Sequence, residues 1–177
     1  LLSNAGYTFE VIPSDTDESL PEGIETIGAY AFCDCFALED IVIPEGVRKI
    51  GASCFYNCYK LTEVMLPQTV SAIGSVVFYH CSALKKVELP VQITTMDTAS
   101  MFSGCSQLTE VQLPDGVTKI GAYAFSGCTS LTTVKVPESV TSIGEGAFNQ
   151  CSNLENLNLP AGITSMECKN TFNGCKK

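Results

Sequence analysis

Two cysteines stand one residue apart in Cys33-Asp34-Cys35, ten occur in all, and the single histidine, His80, lies in "FYHC". Paired thiolates bind zinc or exchange disulfides, and an imidazole can act as general base or metal ligand. A zinc site needs a second pair at matching spacing, and none is present, so no metal and no cofactor is expected. No Ser-His-Asp set can be assembled around His80. Asp15, Asp17 and Glu18 in "SDTDES" could offer oxygens to Ca²⁺. That segment lacks the turn glycine and distal Glu of an EF-hand loop, which favours a solvated acidic loop. The chain is therefore read as non-enzymatic, and the question becomes what so many cysteines do.

Their spacing answers it. Cys35, Cys58, Cys81, Cys105, Cys128, Cys151 and Cys175 recur every 23 or 24 residues. Phe32, Phe55, Phe78, Phe102, Phe125, Phe148 and Phe172 recur in step, each three residues earlier, and so do seven prolines from Pro21 to Pro160. The unit is clearest in "LTTVKVPESVTSIGEGAFNQCSN", residues 131 to 153. "TVKVP" alternates as a half-buried strand and ends at a proline, which cannot donate within a sheet. "VTSIG" reads as a second extended run closed by a turn glycine, and "EGAFNQC" as a tight turn or one helical turn. A single unit cannot bury its apolar face, whereas stacked units share a continuous spine. Parallel strands about 4.8 Å apart would give a rod on the order of 35 Å long. The expected fold is an α/β repeat solenoid of about seven turns over residues 21 to 177.

Within this pattern the cysteine column has two readings. Adjacent Cα atoms about 5 Å apart permit disulfides, but side chains in a column point the same way and seven cannot all pair. The favoured reading is a small buried residue whose S–H donates to a backbone carbonyl. Cys33, Cys54 and Cys168 lie off the column; Cys54 takes the alanine slot before Phe, and Cys33 and Cys168 are expected to be more exposed. "ITTMDTASMF" and "ITSMECKNTF" each replace Ile with Met, lose the glycine and add a residue, which predicts a local bulge or a longer helical turn. Residues 1 to 20 are read as an atypical first rung or cap. The end, just after "FNGC", stops where another strand would start, so the protein is expected to continue; the start has no leader-like segment, so a targeting signal is expected to lie outside this stretch.

The repeated Pro, "IG" and "AF..C" at a 23-residue period resemble the BspA-like, or Treponema pallidum type, leucine-rich repeat. The resemblance covers roughly residues 20 to 177. It implies a right-handed solenoid with a parallel sheet on its concave side, in a surface or secreted protein of a bacterium or mucosal protist. It also implies adhesion or host-protein binding, with no catalytic residues to carry over.

Nineteen acidic against ten basic residues give a net charge of −9, which argues against nucleic acid and anionic membrane as partners. No apolar run approaches the ~20 residues of a spanning helix. Asp40, Glu63 and Glu110 share an exposed strand column with Lys86, Thr133 and Asn156, read as a mixed solvated face. One surface feature stands out. The positions after Phe and after Cys are polar in later repeats but Tyr56, Tyr79, Phe36 and Tyr59 in the early ones, beside His80. Clustered aromatics of this kind suggest a contact surface for a protein or a glycan; packing against a flanking segment would expose them equally. The function expected is an extracellular recognition module, with a structural spacer as the alternative.

Overall fold

A computed structural model describes residues 20–21, 23–96, 98–167 and 169–176, together with the backbone at 2–4 and 7–9. The acidic segment 14–19, Cys168, and Asp97, where the added residue of "MDTASMF" falls, lie outside the described residues.

The repeat folds as a parallel β-solenoid. Each turn contributes two short strands. One file consists of β4 (Asp40–Val42), β6 (Glu63–Met65), β8 (Lys86–Val87), β9 (Glu110–Gln112), β11 (Thr133–Lys135) and β13 (Asn156–Leu157), joined as a six-stranded parallel sheet. The other consists of β3 (Thr26–Ile27), β5 (Lys49–Ile50) and β7 (Ala72–Ile73), then β10 (Lys119–Ile120), β12 (Ser142–Ile143) and β14 (Ser165–Met166). This second file is interrupted at the fourth turn, where Met96 makes one isolated bridge to Ile120. At the amino-terminal end β1 (Leu2–Asn4) and β2 (Tyr7–Phe9) form a hairpin, and β1 runs antiparallel to β3.

Two expectations change. The described residues contain no helix, so the fold is all-β rather than α/β, and the longer sheet closes about six complete turns rather than seven. The turns cannot become helical because each carries two left-handed residues. Tyr30, Ser53, Val76, Ser100, Tyr123, Gly146 and Asn170 hold the slot two before Phe. Asp34, Asn57, His80, Gly104, Gly127, Gln150 and Gly174 hold the slot two after it. A positive φ at both ends of the "AF" segment breaks any right-handed helical run. The turns bond along the axis instead, as in Phe32 N–H to Cys54 O at 2.8 Å and Asp34 N–H to Tyr56 O at 2.8 Å. Away from that interruption, successive coils are thus tied together by three files of backbone hydrogen bonds.

The glycine of "IG" also acts differently from the expectation. Gly51, Gly74 and Gly144 do not have positive φ. A Cβ on Gly51 would lie 2.3 Å from the backbone N of Ala29, and one on Gly74 would lie 2.4 Å from that of Ala52. The requirement is close approach of successive coils, not a turn conformation.

The core is a set of stacked columns. The seven phenylalanine rings lie 5.2 to 5.7 Å apart with interplanar angles of 10° or less. Centroid distances slightly above the strand spacing mark offset stacking, the arrangement ring quadrupoles prefer. Phe55 through Phe148 are completely buried, whereas Phe172, on the last coil, is exposed. Leu61, Leu84, Leu108 and Leu131 form a parallel buried column.

Candidate recognition edge

The cysteine column supplies structure rather than chemistry. The Sγ of Cys58, Cys81, Cys105, Cys128, Cys151 and Cys175 each donate to the carbonyl of the phenylalanine one coil back, at 3.0 to 3.1 Å. The same carbonyls accept the N–H of the cysteine three residues on, as in Cys105 N–H to Phe78's successor Phe102 at 3.1 Å. Burial pushes the Cys81 and Cys151 thiols up to about 12. Cys35 is the first member of the column and is half-buried. Cys54 is fully buried in the slot held by Ala31, Val77 and Ala124. Cys33 is half-buried, and burial followed by its hydrogen bond to Asp34 raises its thiol to about 11. That environment disfavours a reactive thiolate.

The aromatic residues of the early coils form two short ladders on one edge. Phe36 stacks on Tyr59 at 5.5 Å and 7°. Tyr56 stacks on Tyr79 at 4.9 Å and 9°, and Tyr79 on His80 at 4.2 Å and 20°. Phe36 and Tyr59 are 54% and 43% exposed, Tyr56 and Tyr79 are half-buried, and His80 is exposed. His80 reaches this position from a left-handed backbone, and its imidazole fills the space over Gly104, where a Cβ would come within 2.1 Å of Cδ2. Between the ladders, Asn57 donates to the Asp34 carboxylate at 2.9 Å. In the later coils the same two columns carry Ser103, Ser126 and Asn149, and Ser106, Thr129 and Ser152.

The adjoining strand face continues the edge with residues that single-repeat reasoning passed over. Val42 and Met65 are cross-strand neighbours and are 62% and 60% exposed. Further along the sheet their column becomes Glu88, Gln112, Lys135 and Asn158. The signal was available: aligning the outward strand slots shows two apolar residues followed by four polar ones. Two places before them on the same face, Asp40 is paired in register with Glu63, followed by Lys86, Glu110, Thr133 and Asn156. Lys86 is ion-paired with Glu88, and Glu39 with Lys60 at 3.6 Å.

A model of the BspA type leucine rich repeat region matches residues 5–101 and 98–177, with six copies of the repeat. The chain belongs to this family. A leucine-rich repeat protein of T. pallidum is 32% identical over 89% of this chain and 74% of its own, with a TM-score of 0.81. A leucine-rich repeat protein from Bacteroides ovatus is 31% identical, with a TM-score of 0.75, over 88% of this BspA-type chain and 45% of its own. A leucine rich cell surface protein from Faecalibacterium prausnitzii is 32% identical over 90% of this chain and 44% of its own, with a TM-score of 0.74. The BspA-type stretch described here thus spans less than half the length of the latter two proteins. No curated protein sequence matches it.

Proposed function

We propose that this BspA-type solenoid is a non-catalytic recognition module, displayed extracellularly or at a cell surface, that binds a macromolecule through the edge formed by Phe36, Tyr56, Tyr59, Tyr79 and His80. The observation that carries the reading is the confinement of rings in these two columns to the first three coils, when the same columns are polar in every later one. A repeat that served only as a spacer would have no reason to differentiate one segment of one edge. Large exposed aromatics are enriched where proteins bind partners, because they bury much area with few rotatable bonds. The surface location is supported by the Faecalibacterium prausnitzii cell surface protein, which shares the fold at 32% identity.

The test is a binding screen against matrix proteins, mucins and glycans with the wild-type protein and a Tyr56→Ala/Tyr79→Ala variant. Any ligand found should lose on the order of tenfold in affinity or more with the variant. Unchanged affinity for every ligand found would remove the aromatic edge from the account. Thermal melts of both proteins establish that the comparison is between folded molecules.

A further inference from the structure

Granting that this edge is a recognition surface, its geometry discriminates between the two classes of ligand. We infer that the partner is a polypeptide segment carrying basic and apolar side chains together, docked across the Phe36–Tyr59 ladder and the Val42–Met65 strand face. Three observations converge on it.

The first is the direction of the rings. Aromatic residues hold a sugar by presenting an open ring face to its C–H bonds. Here the rings stack from coil to coil with their planes 7° and 9° apart, so each ring gives one face to its neighbour. A ligand arriving from solvent therefore finds at most one ring face on Phe36 and on Tyr59, beside ring edges and the tyrosine hydroxyl. Tyr79 has no face to offer, since it is stacked on both Tyr56 and His80. Ring edges suit the carbonyls and aliphatic or aromatic side chains of a polypeptide.

The second is the aliphatic pair. Val42 and Met65 are more than half exposed and lie side by side in register. A methionine is an adaptable contact that accommodates varied apolar side chains. A hydrophilic glycan gains little from covering them.

The third is charge. Asp40 and Glu63 face solvent as register partners on adjacent strands, on the same face as Val42 and Met65. Like charges directly opposite one another destabilise a sheet. Among the described residues Asp40 has no ion pair; Lys60 pairs with Glu39, and Lys86, paired with Glu88, is the register partner of Glu63 and offsets its charge on that side alone. A lysine or arginine from outside would relieve the repulsion and complete the pair.

The experiment is selection from a random displayed-peptide library, run beside a glycan array. It uses the wild-type chain, Tyr59→Ser/Met65→Ser and Asp40→Asn/Glu63→Gln, each confirmed folded by thermal melting. The expected result is enrichment of peptides rich in Lys or Arg with Leu, Ile or aromatic residues. Their affinity should fall on the order of tenfold in each variant and weaken with added salt. Enriched peptides with no basic excess, or with equal affinity for all three proteins, overturn the inference. Glycan binding that is lost in Tyr59→Ser/Met65→Ser overturns the ligand class but leaves recognition at this edge standing. No ligand from either collection overturns both.

Discussion

The Sγ of Cys81 lies 3.0 Å from the carbonyl oxygen of Phe55, 26 residues earlier in the chain and one coil away in space. That oxygen also accepts the N–H of Cys58, so both of its lone pairs are used inside the core. Repetition of this bond along the column explains why a small polar residue recurs where an alanine would pack: a buried carbonyl with an unmet lone pair is costly. Cys128→Ala removes both the donor and the sulfur volume, and should lower the unfolding free energy by about 1–2 kcal/mol. Denaturant titration under reducing conditions checks it.

The same thiols predict alkaline instability. An unperturbed thiol titrates at about 8.5. Burial raises Cys81 and Cys151 to about 12, and raises Cys105 and Cys128 well above the usual range. Below about pH 8.5 both folded and unfolded chains hold protonated thiols, and stability is full. Above it the unfolded chain releases protons that the folded chain keeps, so stability falls as pH rises toward 12, by up to about 1.4 kcal/mol per pH unit for each such thiol. Urea midpoints between pH 8 and 10 in reductant should decline in wild type and decline less steeply in Cys105→Ala/Cys128→Ala. A flat profile would show the thiols to be solvated.

Backbone strain predicts a stabilising change. Val76 has φ of 51° in a slot where Gly146 and Asn170 stand in two other coils and it is the one β-branched residue. The left-handed region costs a residue with a Cβ about 1–2 kcal/mol, and asparagine tolerates it best after glycine. Val76→Asn should therefore raise the melting temperature by a few degrees, equivalent to about 1 kcal/mol. The converse, Gly104→Ala, should destabilise by about 1–2 kcal/mol because the new Cβ meets both the φ restriction and the His80 ring. His80→Ala should relieve only the second part, giving a measurable coupling in a double-mutant cycle.

Close packing of coils predicts the harshest glycine change. Gly51→Ala places a methyl 2.3 Å from a backbone nitrogen, which no rotamer change can relieve, and should cost about 3 kcal/mol or abolish folding. Gly23→Ala, with positive φ but nothing within 4 Å, should cost only about 1 kcal/mol. Comparing the two by chemical denaturation separates crowding from conformation.

Much of this was legible in the sequence because the repeat offers its own alignment. The period, the two strands per turn and the files of Phe32 to Phe172 and Cys35 to Cys175 follow from spacing alone. What spacing does not convey is conformation within the turn. "GAF" suits a helical turn by propensity, and only the glycine, asparagine and aspartate scattered through two columns hint at paired positive φ. Tyr30, Val76, His80 and Gln150 obscure that hint, because the fold imposes the backbone on residues that would not choose it. The "IG" glycine misleads for a related reason: close approach between coils is a property of two repeats, and no single repeat contains it. Val42 and Met65 escape notice because exposed apolar residues become meaningful only beside their stacked neighbours.

The repeat also supplies an internal control for the central claim, that recognition belongs to the aromatic edge of the first three coils. Hydrogen–deuterium exchange of the chain with and without a peptide selected from the library would map the contact. The account predicts added protection at residues 34–42, 56–65 and 79–80, and none at the equivalent positions 127–135 and 149–158. Protection confined to those later coils, or spread evenly along the solenoid, would contradict it.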